Sequence, residues 1–238
     1  MAYNGTITFK GIASSAYPLT ITTPPQIVHP QMFTEEYAVP GRNGTLFGSN
    51  PYFGSGTINV TFALVAQPGL TDGTSKYQTA YRQVRQWLQG TGKLILGDSA
   101  SSYYEVQKVV ITTDSRVILR YGTMQVSFTV MPYEFLTSGD TAKAAGTITN
   151  PGDEACPLYK ISGSGSGTLT VNNNAMTFTS SGTLYIDTRR FIAYDNAGNN
   201  CNSNISGDYK ALRLQTGDNT VTISGATLEV YPKWGYNL

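Results

Sequence analysis

The chain has one histidine, His29, and two cysteines, Cys156 and Cys201, so few of its residues could supply catalytic imidazole or thiol chemistry. His29 sits in Pro24-Pro25-Gln26-Ile27-Val28-His29-Pro30, a proline-rich run that reads as a loop or an edge strand. Gly163-Ser164-Gly165-Ser166-Gly167 has the spelling of a nucleophile elbow. That motif needs a helix after its serine, and the strand-like Thr168-Leu169-Thr170-Val171 follows instead, so the segment reads as a flexible turn. Paired acids that act on a glycosidic bond must flank it from about 5–10 Å apart. Glu35-Glu36 and Asp153-Glu154 are the adjacent acidic pairs, and neighbours on a strand point to opposite faces. Asp98, Glu105 and Asp187 are scattered.

Metal and phosphate chemistry is equally poorly supplied. The histidine and the cysteines show no zinc-ligand spacing. The Asp195–Asn204 stretch offers oxygens to a calcium ion but only one carboxylate, and reads as a surface turn. Gly92-Lys93-Leu94 lacks the earlier glycine and the Ser/Thr of a phosphate-binding loop. The expectation is a protein with no catalytic residues, no metal and no cofactor.

Composition narrows the class further. Charged residues make up 13% of 238, about half the usual share, so Thr, Ser, Asn and Gly must cover the surface. Sixteen Lys+Arg against 15 Asp+Glu leave no basic excess for phosphate neutralisation or for a polybasic membrane anchor. No run approaches the roughly 18 apolar residues of a membrane span, and the first residues lack the basic and apolar regions of a signal peptide. Neither nucleic-acid binding nor membrane insertion is expected, and synthesis in a cytosol is. Two cysteines suit that compartment as free thiols, although a fold that brought them together would let them pair.

The elements that must position any site are mostly strands. Ile58, Val60, Phe62 and Leu64 alternate with Asn59, Thr61 and Ala63, and Met124, Val126, Phe128 and Val130 repeat the pattern. Val117, Leu119 and Tyr121 give a further alternation. Turn clusters separate such runs at Asp72-Gly73, Ser138-Gly139-Asp140, Asn172-Asn173-Asn174 and Asn196–Asn199. One segment differs. Tyr77, Tyr81, Val84 and Leu88, widened by Trp87, form a helical stripe that predicts an amphipathic helix over about 74–89, capped by Asp72 or Thr74 and closed by Gly90. After the polar stretch near Thr137–Asp140 the strands shorten, at Leu169–Val171, Met176–Phe178, Leu184–Ile186, Leu212–Leu214, Val221–Ile223 and Leu228–Val230. The reading is mainly β in two domains: 1–138, a β-sandwich with one helix, and 139–238, a sandwich or jelly roll.

Two features point to surfaces rather than to chemistry. Tyrosine, at 16 copies, supplies large contact area with few torsions to freeze and is also a good strand residue. Val39-Pro40-Gly41-Arg42-Asn43-Gly44 is turn-rich, with Asn43-Gly44 a strong hairpin signal, and is flanked by Tyr37 and by Phe47, Tyr52 and Phe53. A hairpin with such flanks either packs on its own domain or serves as an arm for a neighbouring molecule.

The sequence resembles the siphophage distal tail proteins. The resemblance runs through Phe9-Lys10-Gly11, the Val39–Gly44 turn, the helix ending Trp87-Leu88, Lys93-Leu94-Ile95-Leu96-Gly97-Asp98, Tyr103-Tyr104 and Phe128-Thr129-Val130 with Pro132-Tyr133. It continues through Asn150-Pro151-Gly152, Pro157, Ile161-Ser162-Gly163, Ile186-Asp187 and Leu214-Gln215-Thr216-Gly217-Asp218-Asn219. The resemblance implies a first domain of which six copies form a ring, and a galectin-like second domain outside it. The ring would stand at the virion tail tip, made in the bacterial host cytoplasm. It would join the tail tube protein to a tail-associated fibre or lysin protein, and in many phages to a receptor-binding protein. Val39, Pro40, Gly41, Arg42, Asn43 and Gly44 become an inter-subunit contact, with Arg42 its charged member. A galectin-type sugar site needs His, Asn and Arg beside a stacking Trp, whereas the second half has no His and its Trp is Trp234, near the end. The alternative is a carbohydrate-binding module, for which Tyr185, Tyr194 and Tyr209 are the available platform.

Overall fold

The computed structural model describes residues 5–65, 73–118 and 121–238. The chain is mainly β with one α-helix, and divides into two compact units: residues up to Glu134 together with Leu238, and Phe135–Asn237. The sequence placed its boundary after Ser138.

In the first unit the strands are β1 (Ile7–Phe9), β2 (Ile12–Ala13), β3 (Leu19–Ile21), β4 (Gln26–Val28), β5 (Met32–Ala38), β6 (Thr45–Phe53), β7 (Gly56–Val65), β8 (Gly92–Leu96), β9 (Ser102–Ile118) and β10 (Tyr121–Leu136), with α1 (Gly73–Trp87) between β7 and β8. The main sheet has the order β2-β1-β8-β9-β10-β7-β3, and β4 also pairs with β7. Hydrophobic alternation sets its register: β7 and β10 pair antiparallel with Ile58 opposite Phe128, Val60 opposite Val126 and Phe62 opposite Met124, all buried. A one-residue slip would turn each of these outward.

Helix α1 lays Tyr77, Ala80, Val84 and Trp87 into the same core. Trp87 anchors it, donating its indole N–H to the Phe9 carbonyl at 3.1 Å and standing edge-on to Phe9 and Phe62. Gly90, at φ +83°, takes the left-handed position after the helix, as its place in the sequence predicts. Of the expected caps, Asp72 and the Thr74 side chain lie outside the described residues. Val117 and Tyr121 belong to different strands, β9 and β10, so the alternation proposed across them is not one strand; Leu119 between them lies outside the described residues.

The second unit contains β11 (Gly146–Asn150), β12 (Leu158–Val171), β13 (Asn174–Asp187), β14 (Ile192–Asp195), β15 (Ile205–Ser206), β16 (Gly217–Ser224) and β17 (Thr227–Tyr231). β12 and β13 pair without interruption from Leu158 opposite Asp187 to Val171 opposite Asn174. Asn172 and Asn173, both at positive φ, form the two-residue turn between them. β17 and then β16 follow the other edge of β12, while β14 and β15 pair with the two halves of β13.

The Gly163–Gly167 segment is therefore not a flexible turn but the middle of β12. Its glycines share the inward parity of Tyr159, Ile161, Leu169 and Val171, so the strand carries no side chain there. Gly163 and Gly165 adopt φ of +148° and +116°, and a Cβ on Gly167 would overlap the Ser224 carbonyl and the Phe178 ring. On β13, the Ser180 hydroxyl bonds both the N–H and the carbonyl of Gly182, each at 3.1 Å. Bare inner positions let the sheet curl on itself, and residues from both ends of β12 and β13 enter one core cluster. Leu212–Leu214 also departs from expectation. It is not a strand but the end of a 3-10 turn, Lys210–Leu212, followed by a single bridge from Ala155 to Leu214.

Candidate functional site

The hairpin β5–β6 forms a two-stranded sheet of its own, paired from Met32 opposite Phe53 to Ala38 opposite Thr45, with a register shift between Met32 and Thr34. Every residue of β5 is exposed. Its apolar members stay in solvent, with Phe33, Phe47 and Tyr52 showing 59%, 65% and 64% of their surface, and Val28, Met32, Tyr37 and Leu46 exposed beside them. Such residues belong in strands by propensity, yet none joins the core of the unit. A two-stranded hairpin alone in water is marginal at best, so this element lacks the third layer that would stabilise it.

The tip is built differently from the sequence expectation. The turn is not the two residues Asn43-Gly44. Ala38 pairs with Thr45, and the loop between them folds at Val39-Pro40-Gly41-Arg42, where the Arg42 N–H donates to the Val39 carbonyl at 3.2 Å. Pro40 presets the first corner, and Gly41, at φ +82°, supplies the second, a combination suited to a type II turn. Gly44, at φ +90°, then returns the chain to β6. Val39, Pro40, Gly41, Arg42, Asn43 and Gly44 all sit exposed at the end of the arm.

Tyr185, Tyr194 and Tyr209 of the second unit make different ring contacts. Tyr185 and Tyr194 face each other across β13 and β14 and stack, with ring centroids 5.1 Å apart and planes 13° from parallel. Tyr209 instead stands edge-on to Phe191 and donates its hydroxyl to Asn202 Oδ1 at 2.9 Å. Trp234 is buried and bonded through its indole N–H to Ser138 Oγ, so it offers no stacking face.

Residues weighed for chemistry lie apart or are occupied in turns. His29 is exposed just past β4. Asp195 accepts the Asn199 side-chain amide together with the N–H groups of Asn199 and Ala197, which hold its carboxyl below the usual carboxylate range. Asp187 accepts the N–H groups of Arg189 and Arg190. Cys156 and Cys201 are free thiols, and burial pushes the Cys156 thiol up, away from the reactive thiolate. Among the described residues no group of three His, Cys, Asp or Glu side chains could hold a metal, and no helix is long and apolar enough to cross a membrane.

The solved structure of Dit (gp 19.1) of phage SPP1 superposes on 96% of this chain and 98% of its own, with a TM-score of 0.66 at 10% sequence identity. The chain has the fold of Dit. Dit is described as a paradigm of the hub adsorption apparatus in phages that infect Gram-positive bacteria. No protein-family model matches the chain, and no curated protein matches it by sequence. Since the likeness to Dit spans both units, it accounts for the two-unit β architecture and leaves identity of residues almost unused.

Proposed function

We propose that this chain is a structural hub of the distal end of a long non-contractile phage tail, working by assembly and not by catalysis. Copies of the chain form a ring, a hexamer by analogy with the resembled family. The ring joins the tail tube protein to a tail-associated fibre or lysin protein and carries receptor-binding components. The Val39–Gly44 arm is its inter-subunit contact. The single observation that carries this reading is the β5–β6 hairpin, an extended element whose large apolar residues have no partner in their own unit's core. A row of exposed aromatic residues is a recognition surface in most soluble proteins. The Dit fold over nearly the whole chain supports this class of assembly. Low charge and abundant Tyr, Thr and Asn suit large permanent contacts.

The reading is tested on phage particles with gold-conjugated antibody against the second unit. Label confined to the tail end distal to the capsid is expected. Label along the tail shaft, on the capsid or nowhere on the particle would contradict it.

A further inference from the structure

The second half of β9 has an edge with no strand beside it. β8 pairs with β9 only from Tyr104 to Val106, whereas β9 runs on to Ile118, and among the described residues no strand continues β8 along that edge. A groove of about 600 Å³ lies there, with Val109–Asp114 on one side and Tyr81, Arg85 and Leu88 on the other. Consecutive residues line it, where the face of a strand would contribute only alternate ones. Val109-Val110-Ile111-Thr112-Thr113 is a β-branched run, and no proline or glycine interrupts the strand from Gln107 to Val117. Open edges of this kind recruit another strand unless something blunts them.

The charges select the occupant. Arg85 stands in the groove wall with its guanidinium over the Tyr81 ring, while Lys108 and Arg116 flank the lining on β9 without belonging to it, Arg116 lying over the Tyr77 ring. The one carboxylate among these residues, Asp114, accepts the Tyr81 hydroxyl. On the arm, β5 carries Glu35 and Glu36 side by side, one on each face, and among the described residues no strand pairs with either outer edge of the two-stranded sheet. An acidic strand with free edges meets Arg85 in the wall of a groove that lies beside a free edge.

We propose that the open edge of β9 receives the β5–β6 hairpin of a second copy of this chain, as an added strand alongside Gln107–Val117. This rests on the ring reading and names the surface on which the arm lands. Arm and edge are different surfaces, so the contact is head-to-tail, the kind that closes into a ring when its rotation permits.

The test places the photo-crosslinker p-benzoylphenylalanine at Phe47 of the full chain, an exposed aromatic position where the fold has no stake. After irradiation and digestion, mass spectrometry identifies the joined peptides, while light scattering gives the oligomer mass of the same sample. Peptides joined between Phe47 and residues 81–117 are expected. Oligomers whose cross-links map elsewhere, or that form none, would overturn the landing surface and leave the ring reading intact. A monomer at every concentration would overturn both. As a second readout, Arg85→Glu should reduce the oligomer fraction severalfold, and Glu36→Lys in the same chain should restore it. Loss without restoration in a double variant of native circular dichroism counts against the pairing.

Discussion

Asn219 shows how the second unit uses a buried polar side chain. It is fully buried, and its amide N–H groups reach the carbonyls of Gln215, Gly217 and Ile148 while its oxygen accepts from the Gln215 N–H and the Asn172 amide. Asn150 does similar work, donating to the Asp153 and Leu214 carbonyls and accepting the Gly152 N–H. Both lie in the stretches Asn150-Pro151-Gly152 and Leu214–Asn219, where their side chains act as turn-holding pegs. Asn219→Ala should cost on the order of 3 kcal/mol, since it strands several buried backbone groups, and urea unfolding would read it as a lower midpoint. Tyrosines make a second residue-scale prediction. Burial, followed by the charges of Glu134 and Asp98, pushes the Tyr104 hydroxyl up to about 12. Burial and the hydrogen bond to Asp114 do the same for Tyr81. Burial also raises Tyr159, whose hydroxyl donates to the Leu212 carbonyl at 2.6 Å. The folded state thus keeps protons that an unfolded chain releases near pH 10. Stability from these groups is complete below about pH 10 and is lost as pH rises through 10 to 12. Tyrosinate absorbance should rise in two phases, exposed tyrosines first and the buried set together with loss of circular dichroism. A single phase near 10 with structure retained would contradict these assignments.

Among the elements, the glycines of β12 and β13 make a matched pair for testing the curled sheet. A methyl group on Gly167 meets the Ser224 backbone and the Phe178 ring, whereas one on Gly182 meets open space without a left-handed φ. Gly167→Ala should destabilise the second unit by about 1–3 kcal/mol, and Gly182→Ala should leave its thermal midpoint unchanged. Equal effects would show that the corner is not set by backbone approach. The sequence already displayed the paired strands β7 and β10, the stripe of α1 and the Asn172-Asn173 turn, because each is a local pattern with a period or a turn chemistry of its own. Gly163–Gly167 misled because glycine spelling is the same for a loop and for the bare inner face of a bent strand, and only the partner strands distinguish them. Asn43-Gly44 misled for a related reason. Two turn signals compete in six residues, and the proline-glycine corner at Pro40-Gly41 takes the bend. On the arm, Tyr37, Phe47 and Tyr52 were legible as flanks of the turn. Phe33 and Leu46 were not, since apolar residues on a strand look alike whether they face a core or solvent. The open edge of β9 left one overlooked trace, the unbroken β-branched run from Val109 to Thr113.

At the scale of the whole molecule, each unit has a closed core of its own, and what remains over is the arm. Large apolar side chains exposed together on one hairpin are unusual in a monomer, and assembly through that hairpin is what we propose. Replacing Phe47 and Tyr52 by serine should leave the thermal midpoint of the chain within about 0.5 kcal/mol of equivalent stability, as for other exposed sites, while removing the contact. The most direct measurement is therefore the solution mass of the purified chain by light scattering across a concentration series, with negative-stain images of the same sample and of the Phe47→Ser, Tyr52→Ser variant beside it. The account predicts ring-shaped particles with the mass of six chains for the native sequence, and single chains for the variant. A native protein that stays at the single-chain mass of 25.7 kDa throughout the series, or a variant that assembles as well as the native protein, would contradict it.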